Sequence, residues 1–181
     1  ACGEEHTILL DSEGNAFGCG NNCSGQLGLG DEVWRKSFVP LTNVNSIEMI
    51  SCSSFHSVFL NSRGEVYTVG NNGSGELGLG DLVNRNIPQH VSSLSGVKNI
   101  GTKLYATFCI DGDDMLWVWG SNSSMELGLE MGRINYSSPE KHPSFSKIGV
   151  DLVSQGGKVS VVKDLKDRVW VLGHQSEKPN P

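Results

Sequence analysis

Apolar residues recur at every second position in short runs along this chain, and the runs themselves return about every 50 residues. Ile47 and Met49 alternate with polar neighbours, Val58 and Leu60 do so again, and Val66 leads through Tyr67-Thr68-Val69 to Gly70. Short β-branched and aromatic runs of this period, bounded by Gly, Asn and Ser, predict strands. Asn61-Ser62-Arg63-Gly64 predicts a hairpin between two of them, with Gly64 free to take a positive φ. Asp11-Ser12-Glu13-Gly14 predicts the same in the copy before, and Asp111-Gly112-Asp113-Asp114 a version with one extra residue in the copy after. Weaker fourth strands are expected over 38–41 and 87–91, at a sheet edge, because Pro40 and Pro88 cannot donate to a ladder. No window carries a 3.6-residue apolar stripe, so almost no helix is expected.

The polar positions repeat in the same frame. Gly20-Asn21-Asn22-Cys23-Ser24-Gly25-Gln26-Leu27-Gly28-Leu29-Gly30-Asp31 returns as Gly70-Asn71-Asn72-Gly73-Ser74-Gly75-Glu76-Leu77-Gly78-Leu79-Gly80-Asp81. A weaker copy follows as Gly120-Ser121-Asn122-Ser123-Ser124-Met125-Glu126-Leu127-Gly128-Leu129-Glu130. Four short antiparallel strands per unit of this length predict an all-β fold, a β-propeller built from four-stranded blades. The copies run over approximately 1–46, 47–96, 97–149 and 150–173, followed by a polar tail at 174–181, as a single repeat domain. That makes three full repeats and one that stops before its glycine-rich loop and last strand. The expectation is a partial or half ring, completed by a second copy of the chain (a homodimer) or by the rest of a longer chain.

Cys2-Gly3, then His6-Thr7, a strand, Gly14-Asn15-Ala16-Phe17, and the loop ending Gly25-Gln26-Leu27-Gly28-Leu29-Gly30-Asp31 together resemble the regulator of chromosome condensation repeat family. The resemblance covers residues 1 to about 173. It is strongest in the first two copies and faint in the fourth, where Gln155, Val159 and Asp167 stand for Cys52, His56 and Gly64. It implies a β-propeller, usually of seven blades. It also implies an alternative activity, guanine-nucleotide exchange on a small GTPase by a protruding hairpin wedge.

Charge narrows the partners. Residues 1–130 hold 6 basic and 15 acidic side chains and residues 131–181 hold 8 and 5, within a formal net charge of −6. An acidic surface repels phosphate backbones, so no direct nucleic-acid partner is expected. Lys158, Lys163, Lys166 and Arg168 are interrupted by Asp164 and Asp167 and read as a solvated edge. No apolar run approaches the roughly 20 residues that span a bilayer, so no membrane partner is expected. Five cysteines, an odd number, read as free thiols, with Cys2 and Cys52 buried. Asn22, Asn72, Asn122 and Asn135 begin Asn-x-Ser sequons, three of them by-products of the repeat. A reducing compartment, cytoplasm or nucleus, is the expected location.

Motifs that carry chemistry elsewhere read as scaffold here, and neither cofactor, metal nor catalytic residue is expected. Gly73 to Gly78 matches G-x-G-x-x-G but lacks the following helix that would meet a pyrophosphate. His6 and His56 are repeat-equivalent, with Tyr105 assigned to the same place in the third copy. Each histidine is expected to satisfy backbone groups inside its own blade. Cys19 and Cys23 have no second pair to close a zinc site. Ser53, Ser54 and His56 run along one stretch of chain whose alternation should point them apart. Trp117 and Trp170 hold the place of Tyr67 and Phe17 and read as core. Trp119 holds the place of Val69 and Cys19, and reads as facing the other way and oversized.

The function expected is therefore non-enzymatic: a protein-interaction module that presents inter-strand loops to a protein partner. The loops over 31–38, 81–86 and 130–138 are repeat-equivalent and differ most in sequence, so specificity belongs there. The residues expected to bind are Trp34, Arg35, Asp81, Arg85, Arg133 and Tyr136. Trp34 and Arg35 lead because nothing in the repeat requires them, and exposed aromatics beside guanidinium groups make interface anchors. For the alternative, a small-GTPase exchange factor, no copy holds an insertion long enough to form a wedge.

Overall fold

A computed structural model describes residues 1–129, 132–145, 148–155 and 159–173, with the backbone alone at 154 and 155. Glu130, Lys158 and the tail at 174–181, all singled out in the sequence, lie outside these residues. Fourteen strands are described: β1 His6–Leu10, β2 Ala16–Gly20, β3 Arg35–Pro40, β4 Ile47–Cys52, β5 His56–Asn61, β6 Val66–Gly70, β7 Arg85–His90, β8 Val97–Lys103, β9 Ala106–Asp111, β10 Leu116–Ser121, β11 Asn135–Lys141, β12 Val150–Gln155, β13 Val159–Asp164 and β14 Val169–Gly173. They form four antiparallel sheets in the orders β1-β2-β3, β4-β5-β6-β7, β8-β9-β10-β11 and β12-β13-β14. One 3-10 turn, Pro143–Phe145, is the helix content of the described residues. The fold is an all-β propeller arc, open rather than closed. The sheets meet in sequence along one set of edges: β1 touches β4, β4 touches β8, and β8 touches β12. Ser51 on β4 and Thr102 on β8 join these edges by a hydroxyl bond of 2.8 Å. In the first sheet Ala1 exchanges both main-chain bonds with Ile8, and Cys2 bridges Thr7 in the place of an inner strand.

The hairpin between the second and third strands of each blade is built by one side chain. Asp11, Asn61, Asp111 and Asp164 each accept, through one oxygen, the amides two and four residues on. This Asx arrangement closes the turn without any tertiary contact. The third hairpin has no extra residue, contrary to expectation. Asp114 stands where Gly64 stands and takes φ 62° itself, as Asp167 does at 60° in the fourth. Short Asp side chains tolerate that region, so the turn length is kept without glycine.

The glycine-rich loop after each third strand belongs to the core rather than to the surface. Its leucines, Leu27, Leu77 and Leu127, are fully buried, and each contributes roughly 1.5–3 kcal/mol of transfer free energy. The loop of one blade docks on the next. Gly30 N donates to Asn86 O and Gly80 N to Ser137 O, both at 2.8 Å, on the outer strands β7 and β11. Gly75, at φ +83°, lies so close to β11 that a Cβ would stand 2.6 Å from Ser137 Cα. Apolar contacts continue this packing in two clusters. The first joins Ile8, Leu27 and Leu41 to Ile47, Phe59 and Val69, and the second runs from Val58 through Phe108 and Trp119 to Val162.

Gly78, at φ +71°, faces the Trp119 indole of the next blade, where a Cβ would stand 2.7 Å from Nε1. Gly78→Val is therefore expected to cost at least about 2 kcal/mol, from left-handed strain plus displacement of the indole. Urea denaturation with an unchanged m-value measures it; a loss under about 0.5 kcal/mol refutes the docking account.

Candidate interaction face

Antiparallel order sends the turns after the inner strands (3–5, 53–55, 103–105) and the glycine-rich connections (21–34, 71–84, 122–134) to one face of the arc. All six expected binding residues lie in the last part of those connections (Trp34, Asp81, Arg133) or in the first two residues of the outer strands that follow (Arg35, Arg85, Tyr136). Trp34 is 59% exposed, flanked by Val33. Leu82, Val83 and Ile134 occupy the corresponding stretch in the next two blades and are also exposed, Ile134 to 67%. Sequence reasoning passed over these three. Their signal was apolar residues in the segments between the loop and the outer strand, where the core claims nothing.

The arginines have structural partners. Arg35 Nη2 meets Asp31 Oδ2 at 2.5 Å and Arg85 Nη2 meets Asp81 Oδ2 at 2.6 Å, while their Nη1 atoms donate to Val33 O and Val83 O. The other carboxylate oxygen of Asp31 and of Asp81 accepts the amide two residues on and the amide group of Asn22 or Asn72. Hydrogen bonds from Val33 and Val83 first, and the guanidinium groups with them, hold both carboxyls below the usual carboxylate range. Each Asp–Arg pair thus clips its loop and holds the adjacent apolar residues outward. In the third blade Arg133 lies over the Tyr136 ring at 4.5 Å, and Tyr136 is 9% exposed. That ring supports the loop from beneath.

The histidines correct the sequence reading. They reach the next blade rather than their own backbone. His6 Nε2 lies 2.8 Å from Ser57 Oγ, and His56 Nε2 3.0 Å from Thr107 Oγ1. Those hydroxyls donate to Gln26 O and Glu76 O, so each must accept from the imidazole, which places the proton on Nε2. His56 Nδ1 then accepts from Ser53 Oγ at 2.6 Å. Ser53 and His56 are cross-strand neighbours around a turn, not consecutive strand positions, so alternation does not separate them. Both are buried and spoken for in this relay. The third copy places Ala106, not Tyr105, in the histidine position: Ala106 lies opposite Gly120 as His56 lies opposite Gly70. Lys103 accompanies Ala106 where Ser53 accompanies His56. It is 7% exposed, and its Nζ has no hydrogen-bond partner among the described residues.

The tryptophans are reversed from expectation. Trp119 is fully buried and donates to Glu76 O at 2.9 Å. Trp117 and Trp170 cover hairpins from outside, donating to Asp111 and Asp164, with Lys141 and Arg168 over their rings. An aromatic three positions before the strand-ending glycine borders the hairpin; the residue next to that glycine faces the glycine-rich loop of the blade before it. In the G-x-G-x-x-G stretch the amides of Gly73, Ser74, Gly75, Leu77 and Gly78 are all taken by Asn71, Glu76, Asn72 and Gly75. None of these five remains for a phosphate. Asn22, Asn72 and Asn122 are buried and bind their own loops. The cysteines are unpaired, but Cys2 is exposed, not buried, because its inner-strand place lies at the open edge of the first sheet; Cys109 is the buried one.

Three- and four-stranded antiparallel sheets packed side by side, each locked to the next by a glycine-rich loop, define a β-propeller of repeated blades. The model of the regulator of chromosome condensation (RCC1) repeat matches residues 13–60 and 63–102, and a second model of that repeat matches 49–76. Residues 13–102 are thus repeats of the regulator of chromosome condensation family. Solved structures agree in fold. Human WBSCR16 superposes with a TM-score of 0.85 at 24% identity, over 99% of this chain and 48% of that one. Yeast RCC1 (Prp20) bound to Kap60 gives 0.81 at 18% identity, over 98% and 42%. Prp20p of Saccharomyces cerevisiae, described with its binding to Gsp1p and histones, gives 0.76 at 20%, over 98% and 44%. The chain thus spans a little under half the length of these proteins. No curated protein matches the sequence.

Burial lowers the imidazoles of His6 and His142 to about 4 and that of His56 to about 3. An unfolded chain titrates them near 6.5 and so binds more protons than the folded one between about pH 6.5 and 4. Their stability is fully present above pH 6.5 and is lost as the pH falls through that window. Melting temperature is expected to be flat from pH 7 to 8 and to drop below 6.5, less steeply in His56→Gln. Equal slopes in the two proteins refute the relay.

Proposed function

We propose that the chain is a non-enzymatic protein-interaction module, presenting the face that carries the glycine-rich connections to a protein partner. The observation that carries this is the row of exposed apolar side chains, Val33 and Trp34, Leu82 and Val83, and Ile134, held outward in the corresponding stretch of three blades. Apolar groups that the fold does not bury, on loops that its scaffold clips in place, are the composition of a recognition surface. Within it, Trp34 is the anchor. Arg35, Asp81 and Arg85 set the loops that hold the apolar tips, and Arg133 with Tyr136 does so in the third blade.

The alternative, guanine-nucleotide exchange on a small GTPase, draws on the likeness to Prp20p, described with its binding to Gsp1p. Among the described residues the connections 21–34, 71–84 and 122–134 hold no strand, and hence no projecting wedge. Cytoplasm or nucleus is the compartment that fits unpaired cysteines and buried sequon asparagines. No helix among the described residues is long and apolar enough to cross a membrane. We take the four copies as one repeat domain whose ring a second copy or the rest of a longer chain completes. Light scattering at rising concentration reads the first of these: a mass that stays at one chain excludes the homodimer.

Affinity capture compares the wild type with Trp34→Ser/Val83→Ser. Loss of at least about tenfold in the captured partner, with melting temperature within about 2 °C, is the expected result. Equal capture by the variant overturns the face assignment. Nucleotide release from a panel of small GTPases is expected to stay at its intrinsic rate; acceleration installs the alternative.

A further inference from the structure

The turns after the inner strands carry side chains that the repeat does not call for. At each turn the fold uses a main-chain carbonyl: Glu5 O accepts Asn21 N, Phe55 O accepts Asn71 N, and Tyr105 O accepts Ser121 N, at 2.8, 2.9 and 2.7 Å. Gly20, Gly70 and Gly120, all at positive φ, lie directly against these three carbonyls. The main chain satisfies the fold whatever the side chain is, which is why a glutamate, a phenylalanine and a tyrosine occupy one repeat position. Free of that duty, Phe55 and Tyr105 nevertheless meet across two blades, with ring centroids 6.5 Å apart and planes 21° from parallel. Tyr105 is exposed and Phe55 half-buried. One blade before them stands exposed Glu5, whose Oε2 is steadied by the Asn21 side chain at 2.7 Å, beside exposed Glu4. The turns of the first two blades abut, since a Cβ on Gly3 would collide with Ser53 O.

The electrostatics around this row favour one kind of guest. The lysine of these turns, Lys103, is turned inward, where it feels Glu126. Arg35 and Arg85 are neutralised by Asp31 and Asp81. Lys36 and Arg133 stand by the outer strands, about 10 Å or more away across two strand spacings. Aromatic faces beside free carboxylates attract a cation, and a guanidinium best, because it stacks flat on a ring while donating to a carboxylate. We propose that Glu5, Phe55 and Tyr105 form a subsite near the inner edges of the blades that binds an arginine side chain of a basic protein segment. This deepens the interaction-module function and rests on it for the face alone. A partner then spans from the apolar tips at Trp34 and Val83 to a guanidinium seated between the aromatic pair and Glu5.

The probe is a peptide of alternating arginine and glycine, titrated at fixed ionic strength into the full chain with labelled aromatic rings. Lysine–glycine and glutamate–glycine peptides serve as comparisons. Saturable shifts at the Phe55 and Tyr105 rings are expected with arginine, weaker ones with lysine and none with glutamate. Phe55→Ala/Tyr105→Ala is expected to raise Kd at least about tenfold and Glu5→Gln several-fold, with melting temperatures unchanged. Should the double aromatic variant lose stability, Tyr105→Ser with Glu5→Gln reads the same site. No saturation at millimolar arginine peptide, shifts mapping elsewhere, or equal binding by the variants overturns the subsite. Capture that depends on Trp34 would survive that outcome, so failure here is distinguishable from failure of the interaction module.

Discussion

Each blade after the first is held by the loop of the blade before it. A carbonyl at the loop's centre (Gln26, Glu76 or Glu126) accepts a hydroxyl from the next sheet, Ser57, Thr107 or Ser160. The leucine beside it is buried, and in the first two blades a glycine lies against the next outer strand. A four-stranded blade with a two-sided apolar surface is marginal alone, so this docking supplies the long-range part of the stability. Its tolerance is small. The carbonyl, the leucine and the glycines must all arrive together, and that explains why the loop sequence repeats while its neighbours drift.

The same constraint creates the interaction face. Because the loop's central part is committed inward, its far end must climb back to start the outer strand. The Asp31–Arg35 and Asp81–Arg85 clips govern that climb. Surface ion pairs of this kind contribute little net stability, and their value here is conformational. They hold Trp34 and Val83 in solvent against the apolar interest of those side chains. At the inner turns a different economy applies. Main-chain carbonyls satisfy the fold, and the side chains at 5, 55 and 105 are left for recognition.

Interblade junctions need not be identical, and this chain shows how one is rebuilt. The first two use a neutral histidine bonded to the next blade's hydroxyl. The third has Ala106 and Lys103 in the corresponding pair of positions, while Ser160 still reaches Glu126 O at 3.2 Å. The hydroxyl-to-carbonyl bond is thus the common element, and the histidine an addition that fills space and takes the hydroxyl's lone pair. Lys103 brings an ammonium in place of a ring. Burial lowers its pKa against the pull of Glu126.

Period-two runs, hairpin Asx residues and the glycine-rich loop made the all-β class, the blade and most strand positions legible from residues alone, because each is decided within about ten residues of chain. The family resemblance rested on those same local features. The apolar tips at Leu82, Val83 and Ile134 and the row at Glu5, Phe55 and Tyr105 were not legible. Residues 50 apart become neighbours only through the rotation between blades, and nothing local encodes that rotation. It decides that Trp119 and not Trp117 is core, that His56 answers to Thr107 rather than to its own backbone, and that Phe55 stacks on Tyr105. Burial of an indole or an imidazole depends on which surface the next blade brings over it, and that surface exists only in the assembled fold.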